Sequence, residues 1–214
     1  NGLRMRITLI GMSNIGKTHW SKRLEDEAGF KRLDCDALYR AKLRLLLDEQ
    51  GCECTQSGVT KWLGYPYDPQ YAENSKILMA CEREALKQVI VMLNSSSPKE
   101  NIVIETGGSV IYTGADIIQA LKSLTRIIHL AASEQFQQVM FTRYLAYPKP
   151  IIWGDNTFTK AVSQTNQEAL AMCYPQLLAS REKRYTEMAG VTIPYEEHRM
   201  DTANLSLMGV TGQS

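Results

Sequence analysis

Eight residues near the start of the chain, GMSNIGKT at 11–18, restrict its fold more than any other feature. They follow a short apolar run at 5–10 (MRITLI), which reads as a buried strand. They precede a segment in which Trp20, Leu24 and Ala28 recur at helical spacing until Gly29 closes the pattern. Gly11-x-x-x-x-Gly16-Lys17-Thr18 between a strand and a helix is the phosphate-binding (Walker A) arrangement. Its glycines let the backbone curl so that successive N–H groups converge on phosphate oxygens at the positive end of the helix. Lys17 can reach the outer phosphates, and the Thr18 hydroxyl suits Mg²⁺. An accidental match in a glycine-containing turn would need neither flanking element. The loop therefore predicts nucleoside triphosphate binding on an α/β scaffold.

The remaining chain keeps strands and helices in alternation. Strands are expected at 30–34, 102–105, 126–130 and 191–194. Helical patterns follow at the DCDALYRAKLRLLL run, through Leu78, Cys81, Ala85, Val89 and Met92, near 115–121, and from a Ser133 N-cap to about Tyr144. A last long helix ends in REKRYTEMAG, with Pro175 kinking it or starting a new segment. Such alternation implies a parallel sheet covered on both faces, a three-layer α/β/α arrangement with five central strands. Residues 49–70 break the rhythm with three glycines, two prolines and interleaved Trp62, Tyr65 and Tyr67, and read as an insertion or loop. The aromatic stretch at 147–159 is irregular. The expectation is one domain over 1–214, with an insertion at 49–70 and a lid near 145–160.

Several function classes are excluded or disfavoured. The formal charge of +1 gives no basic field for nucleic acid or an anionic membrane, and no apolar stretch approaches bilayer-spanning length. The start of the chain reads as a strand rather than a signal peptide. The cysteines (Cys35, Cys52, Cys54, Cys81 and Cys173) are odd in number and lack paired metal spacing, so free thiols in a reducing cytoplasm are expected. A GTPase would need an Asn/Thr-Lys-x-Asp motif; TKWL and TKAV lack its Asp. A motor-type ATPase would end its third strand in Asp or Asp-Glu, where this chain has Glu105-Thr106. Small-molecule and nucleotide kinases remain, whose catalysis is mostly positioning and charge stabilisation.

Taken in order, GMSNIGKT after the first strand, LDCD after the second, ETGGS after the third, and YPKPIIW with SREKRYTEMA near the end resemble the shikimate kinase family. The resemblance runs from about Met5 to Glu197, apart from 49–70. It implies an ATP- and Mg²⁺-dependent phosphotransferase with a P-loop kinase fold and a lid, acting on a hydroxyl of a small carboxylated acceptor, with shikimate as the leading candidate. Gly11, Asn14, Ile15, Gly16, Lys17, Thr18 and His19, with Lys149 from the lid, would hold the nucleotide. Thr18 and Asp34 would serve the metal. Lys17, Asp36 and Arg143 would be catalytic, with Asp36 orienting or deprotonating the acceptor hydroxyl. Asp36, Gly107, Gly108 and Arg181 would contact the acceptor. Arg181 shares a helical stripe with Leu177, Tyr185 and Met188, so it is expected to face inward.

Plainer readings stand beside these. Asp36 could cap the helix after the second strand, Gly107-Gly108 could be a simple turn, and Arg181 could pair internally with Glu82 or Asp36. The family pattern departs at two places. The lid reads Lys149-Pro150-Ile151-Ile152 where the family has Arg-Pro-Leu-Leu; Lys supplies charge but not the planar fork, so bidentate phosphate contact is weakened. A Phe-Arg-x-x-Glu run, aligned on Glu82, puts Leu78 and Met79 at the Phe-Arg positions. The second acceptor-binding Arg is absent, and Arg83 lies on another side of the helix. Either the insertion supplies a replacement, Lys61 for instance, or the acceptor is not shikimate. Alternatives are a P-loop kinase for a sugar acid or nucleotide, and a catalytically silent nucleotide- or metabolite-binding module.

Overall fold

The structure is a computed structural model and describes residues 5–97, 99–154 and 158–210. Five parallel strands, β1 (Arg6–Ile10), β2 (Lys31–Asp34), β3 (Ile102–Glu105), β4 (Arg126–Leu130) and β5 (Val191–Ile193), form a sheet in the order β2-β3-β1-β4-β5. The central β1 and β3 are buried along their whole length, as strands covered on both faces must be. Register aligns Leu9 with Glu105 and Ile10 with His129, so the carboxyl ends of β1, β3 and β4 finish together. After β1 the chain crosses to β2 at one edge, and every later crossover runs the other way. Right-handed crossovers then place α1 (Lys17–Ala28) on one face and the later connections on the other. The reversal beside β1 is where open α/β sheets bind ligands.

The expected elements are present within one or two residues at their ends, with three differences. The segment 49–70 is not simply a loop. It holds a helix, α3 (Gln56–Leu63), whose N-cap Thr55 accepts the Gly58 N–H at 3.1 Å. Gly58 reads as a breaker in sequence, yet a side chain there would begin 1.8 Å from the Glu53 carbonyl oxygen. It is glycine because the chain entering the helix lies against it. The second difference is α4 (Tyr71–Ser95), which starts well before the periodic residues at Leu78. The third is α7 (Asn166–Met188), one helix that carries Pro175 inside it rather than breaking there. The helix α2 (Cys35–Glu49) follows β2 directly, and α5 (Ala115–Leu124), α6 (Glu134–Ala146) and the short α8 (Tyr195–His198) complete the set. No helix among the described residues is long and apolar enough to cross a membrane.

The segments expected to form an insertion and a lid are packed against one another. Of the expected lid at 145–160, residues 155–157 lie outside the described residues. The Tyr71 hydroxyl, at the start of α4, donates to the Ile151 carbonyl at 2.9 Å and accepts from the Trp153 N–H at 2.8 Å. Around it Tyr65, Tyr144, Tyr174 and Trp153 form a chain of ring contacts, with centroids 5.1–6.0 Å apart. Stacked and edge-to-face rings at such distances add to the burial they provide.

Tyr71→Phe therefore leaves a buried backbone N–H and C=O without their shared partner, a loss of about 1–3 kcal/mol. Chemical denaturation and proteolysis of residues 148–153 measure it; an unchanged midpoint together with an unchanged cleavage rate would show that the hydroxyl does not anchor the lid.

Candidate functional site

The loop after β1 is shaped by left-handed backbone. Gly11 has φ 141°, Asn14 φ 63° and Gly16 φ 119°. Asn is one of the few side chains that enters this region readily. At Gly11 no side chain fits in any case, because a Cβ would sit 2.7 Å from the Leu130 carbonyl oxygen at the end of β4. The loop is thus wedged between two strand ends and delivers Lys17 and Thr18 at the first turn of α1. Lys17 Nζ folds back onto its own loop, donating to the Gly11 carbonyl at 2.8 Å and the Met12 carbonyl at 2.7 Å. Burial lowers its pKa to about 8, against the opposing pull of Asp36 and Glu105.

Glu105, which the sequence reading used only to set a class aside, is the hub beneath this loop. Its carboxylate accepts from the Thr18 hydroxyl, from Ser21 Oγ at 2.8 Å and from Arg32 Nη2 at 2.6 Å and Nε at 3.1 Å. Burial alone would raise its pKa, but the hydrogen bonds from Thr18, Arg32 and Ser21 outweigh it and hold the group below its usual value of 4.5. An acid ending the third strand was the available signal; its coupling to Thr18 was not visible, because 87 residues separate the two.

The two aspartates of LDCD divide their roles. Asp34, not Asp36, caps α2: its Oδ1 accepts the Ala37 N–H at 3.0 Å and its Oδ2 accepts from Arg32 at 3.1 Å. The capping alternative considered for Asp36 is thereby taken by its neighbour. Asp36 points into the site with no hydrogen bond or ion pair given to it among the described residues. Its pKa is raised by burial, partly offset by Lys17.

An open cleft of about 710 Å³ runs over the loop, lined by Asn14, Gly16, Lys17, Thr18, Arg143 and Lys149 among others. A recess continues from it beyond Asp36, Gly107 and Gly108 to Glu82, Ser109 and Arg181, roofed by Pro150 and Ile151 of the lid. Arg181 is 6% exposed and inward, as the stripe on α7 predicts. It forms no ion pair with Asp36 or Glu82 among the described residues. Its Nη2 donates to the Ile152 carbonyl and its Nη1 to the Gly108 carbonyl at 3.4 Å, while Nε has no partner. Glu82 accepts from Ser109 Oγ at 2.5 Å, and burial pushes its pKa up to about 7. From the lid side, Lys149 Nζ donates to Asn14 Oδ1, and Arg143 lies 5.5 Å from the Phe136 ring centroid.

Other expected residues fall elsewhere. The Ile15 side chain is fully buried in the core, so only its backbone faces the loop. His19 is exposed and does not line the cleft; its pKa is lowered, by burial first and then by Arg23 and Arg199. Lys61 is exposed and lines neither cavity; the insertion instead contributes Gln56 to both. Arg83 ties α4 to the start of α5 through Asp116 and the Thr113 carbonyl. Neither Lys61 nor Arg83 therefore replaces the Arg missing at Met79; the further cation near Asp36 among the cleft-lining residues is Arg40. All five cysteines are free thiols.

Solved structures with this architecture include shikimate kinases. The enzyme from Acinetobacter baumannii, in complex with shikimate, is 19% identical over 89% of this chain and 83% of its own, with a TM-score of 0.55. The enzymes from Bacteroides thetaiotaomicron (17% identity, 96% and 99% covered, TM-score 0.56) and Aquifex aeolicus (18%, 96% and 95%, 0.53) are similar to it as well. The fold is that of the P-loop kinases. No protein-family model and no curated protein sequence matches the chain. At these identities the kinase fold is what is shared, and the chemistry rests on the residues described above.

Glu105 has a pH consequence. A carboxylate held below its unfolded value stabilises the fold fully above about pH 4.5, and that contribution fades as pH falls through the folded value. Urea denaturation against pH should show wild-type stability falling across this window and Glu105→Gln falling less steeply from a lower plateau. Parallel curves for the two proteins would remove Glu105 as the group responsible.

Proposed function

We propose that the chain is an ATP-dependent small-molecule kinase that transfers the γ-phosphoryl group to a hydroxyl of a small acceptor carrying an acid group. The observation that carries this reading is Asp36: a half-buried carboxylate at the junction of the phosphate cleft and the adjoining recess, free to meet an acceptor hydroxyl. The nucleotide half supports it. Left-handed positions in the loop turn backbone N–H groups toward one point, and Lys17 needs only to leave two loop carbonyls to meet phosphate.

The donors also suit a hard cation. The Thr18 hydroxyl and the Glu105 carboxylate lie side by side, with Asp34 at a further remove through Arg32. Among the described residues no group of three or more His, Cys, Asp or Glu is placed to hold a metal alone. That fits Mg²⁺, which is usually held by one or two protein oxygens together with substrate phosphates. When bound, Mg²⁺ neutralises phosphate charge.

In this reading the acceptor O–H bond breaks as Asp36 takes or orients the proton, and a new oxygen–phosphorus bond forms. The bond from the γ-phosphorus to the β–γ bridging oxygen breaks, and ADP leaves with that oxygen. Lys17, with Arg143 and Lys149 from the lid side, balances charge on the transferring group, which in such reactions is most of the catalysis. Arg181, buried with a spare N–H, takes the acid group of the acceptor; Gly107 and Gly108 let the acceptor approach the backbone. Shikimate, bound in the Acinetobacter baumannii enzyme, is the reference acceptor. Met79, standing where the resemblance would place a second cation, argues for an acceptor that differs from it.

Two measurements test this. Asp36→Ala should lower acceptor-dependent ADP formation by at least about 100-fold while ATP still binds; undiminished turnover would falsify the role given to Asp36. Triphosphate affinity should be level below pH 8 and weaken above it, since Lys17 must be charged to meet phosphate and titrates at about 8. Lys17→Ala should bind more weakly at neutral pH and lose that alkaline decline. A decline that survives in Lys17→Ala assigns the titration to another group.

A further inference from the structure

Glu82 is a buried acid that phosphoryl transfer from ATP does not require. It is 8% exposed on α4, its Oε1 is bonded to Ser109, and no cation forms an ion pair with it among the described residues. The cation nearest in effect is Arg181, whose hydrogens go to backbone carbonyls. Burying an acid in such a setting is costly unless something answers its charge or its hydrogen-bonding capacity. Ser109 supplies a neutral hydrogen bond only.

The geometry of Gly107 shows where an answer would stand. A side chain at Gly107 would begin 3.0 Å from Asp36 Oδ1 and 3.1 Å from Glu82 Oε1. The two oxygens therefore lie within about 6 Å of one another, converging on a face that glycine leaves bare. One step further, a side chain at Gly108 would begin 3.1 Å from Arg181 Nη1. A small molecule on the Gly107-Gly108 backbone thus meets two carboxylates at one end and the Arg181 guanidinium at the other. The remaining polar lining, Ser13, Tyr39, Gln56, Ser109 and Tyr174, is neutral. Burial first, then Asp36 and Glu82, push the Tyr39 hydroxyl up.

We propose that the acceptor of this kinase fold is an amino-hydroxy acid, with its protonated amine held between Glu82 and Asp36, its acid group on Arg181 and its reacting hydroxyl beside Asp36. The assignment rests on the kinase reading above and narrows its substrate class. An ammonium has three donors and so can reach both carboxylates at once. Charge-assisted hydrogen bonds of this kind are about twice as strong as neutral ones. Asp36 has two oxygens, so one can face the amine while the other faces the hydroxyl. The bond changes are those already given, and the amine takes no part in them.

The experiment uses matched acceptors that differ by an amine against a hydroxyl: L-homoserine against 2,4-dihydroxybutyrate, and L-serine against glycerate, with shikimate as an amine-free cyclic acid. ADP formation is followed for the intact chain and for Glu82→Gln, and acceptor binding is measured by calorimetry with a non-hydrolysable ATP analogue present. Binding of that analogue alone, with circular dichroism, reports whether Glu82→Gln is folded. The expected result is at least about tenfold preference for the amine-bearing member of a pair, expressed in KM and in affinity, and its disappearance in Glu82→Gln. Equal or better use of the amine-free member overturns the proposal and leaves the kinase reading standing. So does a preference that persists in folded Glu82→Gln, or a failure of both amine-bearing compounds to bind. If the amine-bearing compounds bind with the expected preference but ADP never forms, the recess assignment holds and the kinase reading fails.

Discussion

The carboxylate of Glu105 ties the phosphate loop to the sheet. It gathers Thr18 and Ser21 from α1 and Arg32 from β2 around the end of β3. The partners come from two separate elements, α1 and β2, so their convergence on β3 fixes where α1 starts relative to the strands. The loop's own left-handed turns then have a fixed base at the Thr18 end, while Gly11 is clamped against the Leu130 carbonyl at the other. Without such a base, a glycine-rich loop would lose more conformational entropy on ordering than its few contacts return.

Beyond the loop, the site is organised by charges whose partners are incomplete. Lys17 and Arg181 are both buried cations that donate mainly to backbone carbonyls, and the half-buried Asp36 and buried Glu82 are acids without ion pairs among the described residues. A fold selected for stability alone would pair these groups or replace them, since buried unpaired charge is unfavourable. Their separation along the cleft, Lys17 and Asp36 at the phosphate end and Glu82 and Arg181 at the closed end, is the order in which a nucleotide and an acceptor would meet them.

The insertion and the lid are best understood together. Neither is a regular element of the α/β alternation, yet Tyr71 and the rings of Tyr65, Tyr144, Tyr174 and Trp153 join them into one aromatic cluster, from which Tyr174 reaches the recess. The aromatic-bearing stretches 49–70 and 147–159 could be read from the sequence as irregular segments. That they face each other could not, because contacts across some 80 residues leave no local periodicity. Gly58 misled for a similar reason: its meaning as a close-packing position depends on the Glu53 carbonyl that lies against it.

What the sequence determined by itself was local. A strand ending in a glycine-rich turn with Lys and Thr at the head of a helix specifies a phosphate loop through backbone chemistry that needs no distant partner. The five strands and the inward stripe bearing Arg181 were likewise legible, since hydrophobic periodicity is a property of a single element. Pairing was decided only in three dimensions: that Asp34 caps α2 while Asp36 is left free, that Glu105 holds Thr18, that Gln56 rather than Lys61 reaches the site, and that Glu82 shares the face of Gly107 with Asp36. The physical reason is common to all four. Which partner a polar group finds depends on where the sheet order brings separate segments together, and that order follows from packing and crossover handedness rather than from any residue's immediate neighbours.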